Sequence, residues 1–107
     1  MTAAFEISGI PNEGGVLIVV DHASSHVPDE IDLGIAVRFA EDHIAFDPGT
    51  AAVARRMTEN SGYLAILSAH SRLVVDLNRY PDEITVIPER SDGVEIPGNQ
   101  ISAAERQ

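Results

Sequence analysis

An α/β fold, built as a partial mixed or parallel sheet with flanking helices, is the architecture this sequence predicts, and three observations predict it. "VLIVV" (16–20) is an unbroken aliphatic run, the pattern of a strand covered on both faces in a parallel sheet. "DPGTAAVARRMTENSG" (47–62) carries helix start and stop signals around an apolar stripe. "YLAILSA" (63–69) and "SRLVVDL" (71–77) are aliphatic runs of strand length. The resulting order of β, loop, α, β, β, loop and α belongs to the α/β class.

Taken in order, "NEGG" (12–15) is a turn, and the strand "VLIVVDH" (16–22) follows it. "ASSHVPDEID" (23–32) is a loop, and a short helix is predicted around residues 35–42. Asp47 sits at the N-cap position of the next helix with Pro48 in its first turn. Ala52, Val53 and Met57 form the apolar face of that helix, and Gly62 stops it. From Asn78 to Asn99 the chain turns polar and is punctuated by Pro81, Pro88, Gly93, Pro97 and Gly98, which reads as a long irregular loop. "SAAE" (102–105) is a capping box, with Ser102 as N-cap and Glu105 three residues on. It announces a helix for which only two further residues are present, so the expectation is that residues 1–107 are the N-terminal part of a single longer domain. Such a part should leave an apolar sheet edge or face uncovered, or covered by another chain.

The bulk properties narrow the function. A chain of 107 residues is one domain at most, and 44% hydrophobic with 22% charged residues is ordinary for a soluble globular protein. The longest aliphatic run, Val16 to Val20, is far too short to span a membrane. The N-terminus has neither the basic nor the apolar region of a secretory signal, so a cytoplasmic location is expected. Seventeen acids oppose seven arginines, with no lysine, for a net charge of −10. A field of that sign repels nucleic acid and anionic lipid, so neither is an expected partner. It still permits a small anionic substrate in a local arginine pocket. Without cysteine, any metal must use His, Asp or Glu.

Asp21 and His22 lie where the strand 16–20 runs out, the end at which open α/β sheets bind ligands. Two readings stand for His22: a metal ligand or general base oriented by a carboxylate, or a strand-end cap held by hydrogen bonds. An H-x-x-x-H zinc pair with His26 needs helical spacing, which "ASSHVP" does not support. Ser24 and Ser25 lack a nucleophile elbow and are expected to satisfy backbone groups. His43 is expected on the surface. Asp47 is either a helix cap or a group facing the same cleft as His22. In "SRLVVDLNR" (71–79), an extended chain puts Arg72, Val74, Asp76 and Asn78 on one face, with Arg72 and Asp76 too far apart to pair. Asn78 and Arg79 at the strand exit suit two-point recognition of a carboxylate, and the competing reading is a structural ion-pair network.

"VDHASSHVP", "HIAFDPGTAAVARRM", "SRLVVDLNR" and "IPERSDGVEIPGN" together resemble the N-formylglutamate amidohydrolase family, from about Val16 to the C-terminus. The resemblance implies a fold similar to the N-terminal part of zinc-dependent exopeptidase domains (phosphorylase/hydrolase-like) and an amidohydrolase acting on N-formyl-L-glutamate or a related small N-acyl amino acid. "DLNR" (76–79) is similar to an element of the aspartoacylase-like enzymes in that wider group, where the Asn-Arg pair holds the substrate carboxylate. His22 and Asp47 then become the catalytic candidates, with His22 the metal candidate and zinc the divalent ion in view. Arg72, Asn78 and Arg79 become substrate-binding candidates, with Asp76 orienting Arg79 or His22 from behind. The wider group places a Glu three residues after its first His, where this chain has Ser25, and takes a further His and a Glu from its second half. The alternative reading is a catalytically incomplete part that binds a carboxylate, an amino acid or a partner chain. A homo-oligomer is compatible with either.

Overall fold

The computed structural model describes residues 3–12 and 14–107. The predicted turn at 12–15 has its Glu13 outside the described residues, as are Met1 and Thr2 of the N-terminal reading. Gly14 and Gly15 have φ of 72° and 85°, the left-handed backbone that a turn needs and glycine supplies.

A mixed three-stranded sheet organises the chain. Strand β1 (Phe5–Ser8), strand β2 (Leu17–Val20) and strand β3 (Leu64–Ser68) lie in the order β1-β3-β2. β2 runs parallel to β3, pairing Ile18 with Ala65 and Val20 with Leu67, whereas β1 runs antiparallel to it. A parallel pair needs a crossover. The connection contains helix α1 (Val37–Ala40), within the span expected around 35–42, and helix α2 (Thr50–Thr58). Period-two alternation sends Ile18, Val20, Ala65 and Leu67 to one face, where Ala51 and Ala54 of α2 close on them. A second cluster of Leu33, Ile44, Ala45, Leu73 and Ile96 packs the long connections against one another. Among the described residues no helix is long and apolar enough to cross a membrane.

Several elements depart from expectation for identifiable reasons. β1 was not anticipated; four residues of alternating "FEIS" are a weak signal until β3 offers an edge. Residues 71–77 are not a strand. Both edges of β3 are already taken by β1 and β2, and the chain instead coils, with the amides of Val74 and Val75 bonding back to the Ser71 carbonyl (3.0 and 3.4 Å). Asp47 is not the cap of α2. Gly49 takes that place at φ 86°, and the Asp47 carbonyl, not its carboxylate, accepts from Thr50 N (3.3 Å) and Oγ1 (2.8 Å). The buried face of α2 is Ala51 and Ala54, while Val53 and Met57 remain exposed. The stretch 78–99 is better ordered than a loop. It holds 3₁₀ turns at Ile84–Val86 and Pro97–Asn99 and a hairpin of β4 (Arg90–Ser91) and β5 (Val94–Glu95). Asp92 and Gly93, both at positive φ, make its two-residue turn. Gly98 is required for space, since a Cβ there would lie 1.9 Å from the Asp32 carbonyl oxygen. The Ser102–Glu105 capping box forms in both directions (2.7 and 3.3 Å).

"VLIVV" is covered on one face only. On the side of the sheet away from α2, Phe5, Ile7, Leu17 and Val19 are exposed, and Val19 keeps 64% of its surface. This open face departs from the reading of "VLIVV" as a strand covered on both sides. It generates a stability contrast within one sheet. In urea unfolding, Val19→Thr should cost less than about 0.5 kcal/mol, the range of a surface change. Leu67→Ala, 1% exposed beneath α2, should cost about 2–5 kcal/mol. Comparable losses would mean that the open face is covered in solution.

Candidate active site

Three segments that leave the sheet are stitched together by backbone hydrogen bonds. Asp47 N donates to the His22 carbonyl (2.8 Å), Ser71 N to the His26 carbonyl (2.7 Å), and Arg72 N to the Ala45 carbonyl (3.1 Å). The Ser71 hydroxyl, fully buried, donates to Ala45 O (2.8 Å) and accepts from Leu73 N (3.1 Å). This stitching brings the end of β2, the start of α2 and the turn after β3 to one place.

The side chains there close a ring. His22, 7% exposed, has its Nε2 2.6 Å from Asp76 Oδ1 and its Nδ1 3.4 Å from Asp47 Oδ2. Arg72 spans the two acids, with Nη2 3.3 Å from Asp76 Oδ2 and Nη1 3.7 Å from Asp47 Oδ1. The Arg72–Asp76 contact exists because residues 71–75 coil. In the extended chain expected from the sequence the pair could not have met. Asp76 also accepts the Asn78 amide at Oδ1 (3.0 Å) and has Arg79 Nε 3.9 Å from Oδ2. Burial pushes the Asp76 carboxyl upward. The hydrogen bonds from His22 and Asn78, with the nearby charges of His22 and Arg72, outweigh that and hold it below the usual carboxylate range. An ionised Asp76 accepts, so His22 Nε2 must donate. In the neutral ring Nδ1 is then a lone pair facing the Asp47 carboxylate.

A proton on Nδ1 would make this contact an ion pair with Asp47, and a divalent cation is the other species that could sit there. Two donors of a tetrahedral ion, each about 2.0–2.2 Å from the metal, stand about 3.4 Å apart. His22 Nδ1 and Asp47 Oδ2 show that separation. Among the described residues no group of three His, Asp or Glu assembles to hold a metal. The donors present therefore fit two positions of a coordination shell, one short of the three protein ligands usual for catalytic zinc.

Arg72, Asp76 and Arg79 line a cavity of about 290 Å³ floored by Leu73 and faced by Arg90 and Ser91. Asn78 lies outside that cavity, in an adjoining depression with Arg79 and Tyr80. Arg79 thus stands between the two, half exposed and without a side-chain hydrogen bond among the described residues. His22 and Asp47 reach the cavity only through their partners Asp76 and Arg72. The remaining candidates lie elsewhere. His26 stacks on His70 (ring centroids 5.6 Å apart) and makes no pair with His22. Ser24 Oγ accepts from His26 N (3.0 Å), as a loop serine does. His43 is exposed between Asp42 (2.9 Å) and Asp92 (3.2 Å), and these hydrogen bonds raise its pKa above the ordinary histidine value.

Two supporting residues escaped the sequence. Buried Asn99 donates to Leu73 O and Pro88 O (both 2.7 Å), joining the cavity's floor to the segment that leads into β4. Nothing in "PGN" marks that amide as buried. Arg90 lies in a stretch with no periodic pattern to place it. The ring itself predicts a measurable cost. Asp76→Asn keeps the shape but removes the charge that binds His22 and Arg72, and should lower the unfolding free energy by about 1.5–3 kcal/mol in urea titration. A loss below roughly 0.5 kcal/mol would show that those partners are satisfied without it.

No curated protein sequence matches the chain significantly. A crystal structure of a gene product from Agrobacterium tumefaciens superimposes with a TM-score of 0.89 at 36% identity. The match covers 96% of this chain and 42% of that one, so this chain spans under half the length of its structural relative. The profile of N-formylglutamate amidohydrolase matches residues 14–107, which takes in the whole of the His22–Asp47–Arg72–Asp76 ring. The chain belongs to the N-formylglutamate amidohydrolase family.

Proposed function

We propose that the chain supplies substrate-binding and metal-holding groups of an amidohydrolase that cleaves the amide bond of N-formyl-L-glutamate or a related small N-acyl amino acid. The observation that carries this reading is the buried Asp76 carboxylate, which joins His22 to the Arg72–Arg79 segment inside a family match. His22 Nδ1 and Asp47 would hold a divalent ion, with zinc the one these donors suit, and a third ligand would come from outside the described residues. Such an ion supplies Lewis-acid polarisation of the amide carbonyl and activates water near neutral pH.

The chain's own residues do the rest. Asp76 takes the Nε2 proton of His22 as a hydrogen bond and so fixes which nitrogen is free. Arg72, anchored by both acids, presents a fixed positive charge where the carbonyl oxygen gains negative charge. Arg79, with the Asn78 amide beside it, receives the substrate carboxylate in a planar fork. Kinship of the fold with zinc-dependent exopeptidases belongs to the same reading, as does a cytoplasmic location. A second reading rests on the two-donor metal shell and the 42% span: the chain binds the amino acid without cleaving it.

Incubation with N-formyl-L-glutamate and zinc separates the two. Formate release supports the hydrolase, and saturable binding without formate supports the binding module. Absence of both would remove the proposal. Arg79→Ala should weaken binding of N-formylglutamate by about 1.5–3 kcal/mol, the worth of a charged hydrogen bond, and should barely alter binding of a ligand without that carboxylate. Calorimetric titration measures both. Equal losses would assign Arg79 to the fold.

A further inference from the structure

Strand β1 is turned the opposite way from a surface strand. Its polar residues point at the helix that covers the sheet. Arg55 of α2 donates to the Glu6 carboxylate (3.2 and 2.7 Å), and the Ser8 and Thr58 hydroxyls hydrogen-bond (2.9 Å). Its apolar residues, Phe5 and Ile7, point to the open side. A slip of one residue in register would exchange the two sets. The register adopted pairs Ile7 with Ile66, and Ile66 with Val19 in turn, so all three strands send apolar residues to the same open face. Phe5, Ile7, Leu17 and Val19 each keep more than half of their surface, with Leu64 and Ile66 of the central strand half-buried between them. Leu77, also more than half exposed, extends the patch across an apolar groove that holds Phe5, Ile66 and Val75.

The size of the patch decides what it fits. At about 200 Å² for a large apolar residue, five that are half exposed present on the order of 500 Å². That is the upper end for a patch on a monomer. Two copies placed face to face would remove about 1,000 Å² from water, the lower limit of a specific interface. None of these residues is charged, although the chain carries −10 overall. This face therefore lets two acidic chains meet without opposing like charges at the contact. We propose that it takes a second copy of the chain, in a twofold, sheet-on-sheet dimer with the two copies of β3 at its centre. A dilute chain keeps the face open, and the dimer forms as concentration rises. Leu77 shares a depression with Asn78 and Arg79, so the contact borders the candidate active site and leaves its ring of side chains free.

Sedimentation equilibrium of the chain up to about 100 μM tests this, well above the micromolar dissociation constant that an interface of this size supports. The native chain should pass from monomer to dimer over that range, and added salt should strengthen the dimer by screening the net charge. Val19→Glu and Leu17→Gln alter only the open face, and each should raise the dissociation constant by about tenfold or more. Val53→Glu changes an exposed residue of α2 on the opposite side of the sheet and should leave it unaltered. Circular dichroism checks that each variant is folded, and two variants of the face guard against the loss of one. A native chain that stays monomeric throughout overturns the proposal. So does a dimer that a folded Val19→Glu or Leu17→Gln chain keeps at native strength, or one that Val53→Glu breaks.

Discussion

The buried carboxylate of Asp76 is the constraint around which the functional end of this protein is organised. At 5% exposure it can remain ionised only if partners replace the water it has lost. It has four: His22 Nε2, the Asn78 amide, the Arg72 guanidinium and, more distantly, Arg79. The side chains of His22, Arg72 and Arg79 are also candidates for handling substrate or metal, and the bonded backbone amide of Asn78 belongs to a residue whose side chain is another. Satisfying one charge therefore sets the ring orientation of His22, the position of Arg72 and the exit direction of the chain at Asn78–Arg79. The coil after β3 follows from the same requirement, because only a helical turn brings residue 72 beside residue 76.

Much of this was legible in the sequence. The aliphatic runs of β2 and β3, and the helix signals of α2, located the parallel pair and its crossover. The strand-end placement of His22, the helix-start placement of Asp47 and the "SRLVVDLNR" segment nominated the residues of the ring. What stayed hidden was tertiary. "LVV" at 73–75 suits a strand or a buried turn equally, and the choice depended on whether an edge of β3 remained free. Asp47 had the chemistry of a cap, but Gly49 occupies the N-cap position of α2 and the Asp47 carboxylate faces His22 instead. The amide of Asn99 and the guanidinium of Arg90 depend on how the 78–99 segment folds back, and no periodic pattern encodes that.

The two apolar clusters divide the labour. The one beneath the sheet, built on Ala54, Ala65 and Leu67, holds the secondary structure together through the close approach of small residues. The one built on Leu33, Leu73 and Ile96 holds the connections, which is why segments that look like loops can present side chains at fixed positions. Two of its members bear directly on the site, since Leu73 floors the arginine cavity and Ile96 anchors the hairpin that carries Arg90. Three of the chain's seven arginines, Arg72, Arg79 and Arg90, line that cavity beside Asp76 and Glu89.

The most direct test of the Asp76 constraint is the tautomer of His22, read from the ¹⁵N chemical shifts of its ring nitrogens by NMR. An ionised Asp76 accepting at 2.6 Å requires the proton on Nε2, with Nδ1 unprotonated or bound to a cation other than hydrogen when the ring is neutral. In Asp76→Asn that preference should be lost. A neutral ring protonated on Nδ1 in the native protein would contradict it, because Nε2 would then be the acceptor and Asp76 would have to carry the proton itself.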